Sequence, residues 1–125
     1  MSGQVLLSNG NRWYSYSGLV FGDASVPATI PLIRIPNVGL RDSLVKIQPF
    51  FGLPPNVNPN EGLGIQIYID DTIVYEFKSP DPYYRNIQVP IDLFVPRQTE
   101  LLVFSLNTSG NNSQARGCTV LGYYV

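Results

Sequence analysis

The chain has 125 residues, 44% of them hydrophobic and only 14% charged, with a net charge of −1 and no histidine. A domain of this length buries roughly two thirds of the surface its unfolded chain exposes, so a core forms without staples. The charge balance excludes a basic nucleic-acid footprint, the lack of any apolar run near 20 residues excludes a spanning helix, and a single cysteine, Cys118, excludes an intrachain disulfide.

Read in chain order, every apolar stretch alternates with period two or runs on for fewer than ten residues. Each is bounded by Gly, Pro, Asn or Asp. This predicts nine strands, over 4–8, 12–21, 28–35, 43–51, 64–70, 72–78, 86–94, 99–107 and 116–124, and no helix. The second, in "NRWYSYSGLVFGD", sets Tyr14 and Tyr16 on one face and Trp13 with Ser15 and Ser17 on the other. Its three large rings therefore do not form one flat platform. Gly18 breaks the alternation ahead of Phe21, and residues 1–22 are expected to serve as first strands or as an N-terminal arm against a neighbouring subunit. Trp13 and its neighbours are expected to bury against the sandwich or across a subunit contact.

"SLVKIQPFFG" puts Val45 and Ile47 inward, with Lys46 and Gln48 outward. After a Pro/Asn-rich loop, "GIQIYIDDTIVYEFK" reads as a hairpin. Ile65, Ile67 and Ile69 share a face, Asp70-Asp71 makes the turn, and Ile73, Tyr75 and Phe77 return on one face. The loop "KSPDPYYRN" carries Tyr83, Tyr84 and Arg85; tyrosine is common in binding patches, and the competing expectation is that one of the two rings caps the end of the sandwich. In "NIQVPIDLFVP", Pro90 cannot donate a ladder hydrogen bond, which predicts an edge strand or a bend between sheets. "TELLVFSLN" is apolar on both faces from Leu101 to Leu106, as a central strand would be. In the last strand Cys118 is expected to be a buried small hydrophobe, and one ring of Tyr123-Tyr124 faces the core while the other faces out.

Nine short strands with frequent turn signals predict one antiparallel β-sandwich domain over 1–125. Long loops favour a jelly roll of about eight strands over an immunoglobulin-like sandwich, whose Cys–Trp–Cys core is missing.

No catalytic or cofactor site is legible. A nucleophile–histidine pair is impossible without histidine. Asp70 and Asp71 are neighbours in a turn, so they do not face one another as a glycosidase pair does. A zinc site lacks ligands, and neither Asp81 nor Glu61 with Asn58 and Asn60 has the spacing of a calcium loop. Met1 to Gln4 carry neither the charge nor the apolar run of a signal peptide, which predicts a chain made in a cytoplasm. On that expectation Asn107-Thr108-Ser109 and Asn111-Asn112-Ser113 match the glycosylation pattern by chance.

The alternating strands and neutral polar loops of "VPIDLFVPRQTELLVFSLNTSGNNSQARGCTVLGYYV" resemble the small jelly-roll decoration, or cement, proteins on the capsids of tailed bacteriophages. The resemblance implies a non-enzymatic virion protein. It would bind major capsid protein on the outer capsid surface, commonly as a homotrimer, without cofactor, nucleic acid or membrane. It carries no functional residue over. The residues named for a subunit or lattice interface are Trp13, Tyr14, Tyr16, Phe21, Tyr83, Tyr84 and Arg85. The alternative is a carbohydrate-binding module or phage receptor-binding head, stacking a glycan on Trp13, Tyr68, Tyr83 and Tyr84.

Overall fold

A computed structural model describes residues 5–18, 20–21, 29–51, 63–79, 90–107 and 115–125. These form ten strands: β1 (Val5–Asn9), β2 (Arg12–Tyr16), β3 (Val20–Phe21), β4 (Thr29–Ile35), β5 (Ser43–Phe51), β6 (Leu63–Ile69), β7 (Thr72–Ser79), β8 (Ile91–Val95), β9 (Leu101–Asn107) and β10 (Ala115–Tyr124). There is no helix among the described residues, so none is long and apolar enough to cross a membrane.

Two antiparallel sheets face one another. One has the order β1-β2-β10-β5-β8, with β3 also paired to β10; the other has the order β4-β9-β6-β7. If β1 and β3 are set aside and the eight main strands are counted along the chain, the first sheet reads first, eighth, third, sixth. The second reads second, seventh, fourth, fifth. That interleaving of two Greek keys is the jelly-roll order, and it differs from the immunoglobulin order. Apart from the β6–β7 hairpin, every connection between consecutive main strands crosses from one sheet to the other. Both sheets are consequently built from residues far apart in sequence.

The core follows the alternation. Trp13, Val45, Ile47, Cys118 and Val120 point inward from the first sheet; Ile33, Ile35, Ile65, Ile67, Leu101 and Val103 meet them from the second. β9 lies in the middle of its sheet, which explains its two apolar faces. β8 is an edge strand and Pro90 immediately precedes it, so the missing N–H leaves no ladder bond unmade. Pro31 is accommodated in the same way on β4, the edge of the other sheet.

Three departures from strict alternation are one-residue bulges. The continuous strand expected over 12–21 is two strands. Tyr16 pairs Thr119 whereas Val20 pairs Arg116, a shift of one residue. Gly18 absorbs it with φ +69°, a conformation open to glycine without a Cβ penalty. Ser17 bridges the gap: its N–H donates to the Cys118 carbonyl at 3.0 Å, and its Oγ accepts from the Cys118 N–H at 3.0 Å. In β4 the register slips between Pro31 and Ile33, so Leu32 and Ile33 are both buried. In the β6–β7 hairpin it slips between Ile67 and Tyr68, with Tyr75 and Ile73 as their partners. This corrects the expected face of β7. Tyr75 packs on the core, but Ile73 is carried to the Tyr68 side and is 45% exposed.

Candidate functional site

Because alternate residues of a strand face opposite ways, each inward residue of the first sheet leaves an outward neighbour. The ladders bring these neighbours into rows. In one row Arg12 pairs Tyr123, Tyr123 pairs Leu44, and Leu44 pairs Phe94, across β2, β10, β5 and β8. In the next, Tyr14 pairs Leu121, Leu121 pairs Lys46, and Lys46 pairs Asp92. In a third, Tyr16 pairs Thr119, which pairs Gln48.

The result is a solvent-facing sheet surface dominated by large apolar groups. Tyr14, Tyr16 and Tyr123 are 37–44% exposed, and Leu44 and Phe94 are 52% and 53% exposed. Exposed apolar residues scattered singly need no explanation, whereas a contiguous set on one face marks an interaction surface. A groove of about 310 Å³ runs through it, lined by Leu44, Lys46, Asp92, Leu93, Phe94 and Tyr123.

Charge on this face is sparse and internally matched. The Arg12 guanidinium lies 5.4 Å from the centroid of the Tyr123 ring, a cation–π arrangement that keeps the ring in place. Lys46 Nζ lies 3.8 Å from Asp92 Oδ1, a loose exposed pair worth well under about 1 kcal/mol. The face therefore offers a partner mainly shape and apolar area.

Of the residues singled out from the sequence, Tyr14 and Tyr16 lie on this surface with their rings to solvent. Trp13 does not. It is 1% exposed, inside the sandwich, with its Nε1–H donating to Ser43 Oγ at 3.0 Å. Of the two places expected for it, the structure selects the sandwich, and this corrects its place among the interface residues. It also removes the glycan platform that included it, since Trp13 faces the core and Tyr68 belongs to the other sheet. Phe21 is in β3 beside Ala115, and nothing is described of its side chain. Tyr83, Tyr84 and Arg85 lie outside the described residues.

Leu44, Phe94 and Tyr123 complete the surface. Alternation gives each one's direction, but only the long-range register of β5 with β8 and β10 makes them neighbours.

The chemistry elsewhere is structural. Among the described residues no three metal-ligating side chains come together. Cys118 is fully buried, and desolvation pushes its thiol well above the ordinary range, so it stays neutral. Arg116 is also fully buried and donates from Nη1 to Ser105 Oγ of the opposite sheet at 3.2 Å. Its alternation with Cys118 and Val120 was the available sign that it points inward.

No family model matches the chain, and neither does any curated protein. Among solved structures it is similar to the infectious bursal disease virus VP2 subviral particle, with a TM-score of 0.47 and 18% identity. The match covers 98% of this chain and 32% of that one, so the chain spans about a third of that protein's length.

Proposed function

We propose that this chain is a non-enzymatic structural protein of a virus particle: a decoration, or cement, protein of a tailed-bacteriophage capsid. It binds major capsid protein on the outer capsid surface through the outer face of its six-stranded sheet. The observation that carries this reading is the apolar surface of Tyr14, Tyr16, Leu44, Phe94 and Tyr123, exposed on the outer face of a sheet whose inner face packs the core.

Magnitudes favour several copies acting together. Covering five half-exposed side chains is worth about 1 kcal/mol each, or about 5 kcal/mol in all. Association costs at least about that much, so one copy holds weakly. A homotrimer engaging three lattice subunits gains avidity without any new contact. By binding assembled lattice and not loose subunits, it stabilises the shell by mass action.

The test is co-sedimentation with capsids built from the major capsid protein of the virus that encodes this chain, with light scattering for oligomeric state. The expected result is a trimer that pellets with capsids. Leu44→Asp combined with Phe94→Asp should melt within a few degrees of the parent yet remain in the supernatant. A monomer that binds no capsid overturns the proposal, as does undiminished pelleting of the double variant.

A further inference from the structure

The outer face of the four-stranded sheet, on the opposite side of the sandwich, holds a second and smaller depression of about 190 Å³. Its floor is Leu102 and Phe104 of β9. Gln66 stands opposite Phe104, and Tyr68 opposite Leu102, on β6. The Tyr68 and Phe104 rings meet edge to face, with centroids 5.5 Å apart and planes at 79°. They therefore present two apolar surfaces roughly at right angles.

The polar groups around these rings are sorted by what they have left to offer. The Tyr68 hydroxyl donates to Gln66 Oε1 at 3.2 Å, which occupies the amide's acceptor and leaves its two N–H donors. Asp70 is committed to the fold: its Oδ1 accepts from the Glu100 N–H at 2.9 Å, and its own N–H donates to the Glu100 carbonyl at 2.8 Å. Asp71 lines the same depression, is exposed, and makes no hydrogen bond or ion pair among the described residues. The depression thus combines an aromatic and aliphatic floor, a free amide donor and a free carboxylate acceptor.

This inventory selects a ligand class. Two carboxylates at the rim repel anions. A wholly apolar guest would strip water from Asp71 and the Gln66 amide without replacing it. An organic ammonium suits the rings and the carboxylate but meets the positive end of the amide N–H groups. A neutral pyranose suits these groups together: its C–H face rests on one ring and its edge on the other, its hydroxyls donate to a carboxylate and accept from an amide, and they tolerate the Thr29 hydroxyl that also lines the depression. The volume suits one sugar ring.

We propose that this depression is a saccharide subsite for a single neutral pyranose. Its hydroxyls donate to the Asp71 carboxylate and accept from the Gln66 side-chain amide, and its C–H face lies against Tyr68 and Phe104. The proposal is independent of the capsid-binding reading, because it uses the other sheet and other residues.

The test is saturation-transfer NMR on the full chain with the methyl pyranosides of glucose, galactose, mannose and N-acetylglucosamine, and with tetramethylammonium as a competing probe. The expected result is saturation of at least one pyranoside with a dissociation constant of about 1–10 mM, and a shift of the Gln66 side-chain amide resonances. Asp71→Ala and Gln66→Ala should each weaken binding by about tenfold or more. Asp71 is exposed, so Asp71→Ala should keep the parent's melting temperature; Gln66 is half-buried and accepts from Tyr68, so Gln66→Ala should stay within a few degrees of it. Leu44→Asp with Phe94→Asp should leave sugar binding unchanged. Failure of all four pyranosides, displacement by tetramethylammonium, or undiminished binding by Asp71→Ala overturns the proposal.

Discussion

Trp13 and Gly122 are the pair on which the packing argument is most exposed to test. They are direct cross-strand partners on the inner face of the first sheet. A Cβ added at Gly122 would overlap Cε2 and Nε1 of the Trp13 indole, so glycine at 122 is what lets the ring lie flat on β10. The indole N–H is satisfied by Ser43 Oγ, itself fully buried. Removing the ring in Trp13→Ala opens a large cavity, worth about 4 kcal/mol, and orphans the Ser43 hydroxyl, worth about 1 kcal/mol more. At a urea slope of about 1.5 kcal/mol/M the midpoint falls by about 3 M. Gly122→Ala in the parent forces overpacking against a ring that cannot move, costing about 2–3 kcal/mol. In the Trp13→Ala background the same methyl enters the cavity, and its cost should vanish. The double-mutant cycle should therefore show a coupling of about 2 kcal/mol or more. The assay is urea unfolding followed by far-UV circular dichroism, because Trp13 is the chain's only tryptophan and its variants lose the fluorophore. A stabilising osmolyte keeps the weakest variant folded at zero urea. Additive costs, or a loss below about 1 kcal/mol for Trp13→Ala, would show that the indole and Gly122 are not packed in this way.

Two further predictions concern single groups. The folded-state pKa of Cys118 is raised by burial, so its contribution is fully present below the unfolded thiol's pKa of about 8.5 and declines as pH rises above it. Between pH 8 and 9.5 the parent should lose up to about 1.4 kcal/mol per pH unit relative to Cys118→Ala. A thiol reagent should label the native protein only as fast as it opens; parallel pH profiles or labelling within seconds would contradict this. Asp70 sits at φ +52° in the hairpin turn and accepts the Glu100 N–H, so Asp70→Ala loses both a tolerated left-handed residue and a cross-tie. It should cost about 1–2 kcal/mol, a fall of roughly 5 °C in melting temperature, while Asp70→Asn stays near the parent; equal losses in the two variants would show that the hydrogen bond is not the cause.

The strands were legible because a half-buried strand writes its geometry into the chain with period two, and the polar loops separate one from the next. The same rule placed Trp13 opposite Tyr14 and Tyr16 and β9 in the interior of its sheet, and the missing N–H of Pro90 allowed for an edge or a bend, of which β8 takes the edge. It failed where a bulge inserts one residue. Gly18 announced such a break, and Pro31 in "TIPLIRI" was a weaker sign of one; nothing in "DDTIVYEF" was, so Ile73 was open to misplacement. Bulges are settled by which neighbours must meet across the sheet, and that is tertiary information. The candidate surface was half legible for a related reason. Alternation says that Leu44, Phe94 and Tyr123 point outward, but their adjacency depends on β5 lying between β8 and β10, a consequence of the jelly-roll crossing. Arg116 was missed despite a usable signal, because a charged residue at the start of a strand is ordinarily taken as its solvated end.

That division of labour along each strand also separates stability from binding. Trp13 and Tyr14, Val45 and Leu44, Leu93 and Phe94 are consecutive residues facing opposite sides of one sheet. The inward members close the core: Trp13 has its hydrogen-bond partner and its glycine, and Val45 is 2% exposed. Nothing in the fold requires the outward members to be apolar, since the same backbone would carry Thr, Lys or Gln there at little cost, as Lys46, Gln48 and Thr119 already demonstrate. In a chain with only 14% charged residues, leaving Leu44, Phe94 and three tyrosines in water on one face costs solubility without adding to the core. The proposed capsid contact would account for the apolarity of this face. If that proposal holds, charged substitutions at Leu44 and Phe94 should abolish capsid binding while leaving the melting transition nearly where it was, whereas a cavity at Trp13 moves the transition first.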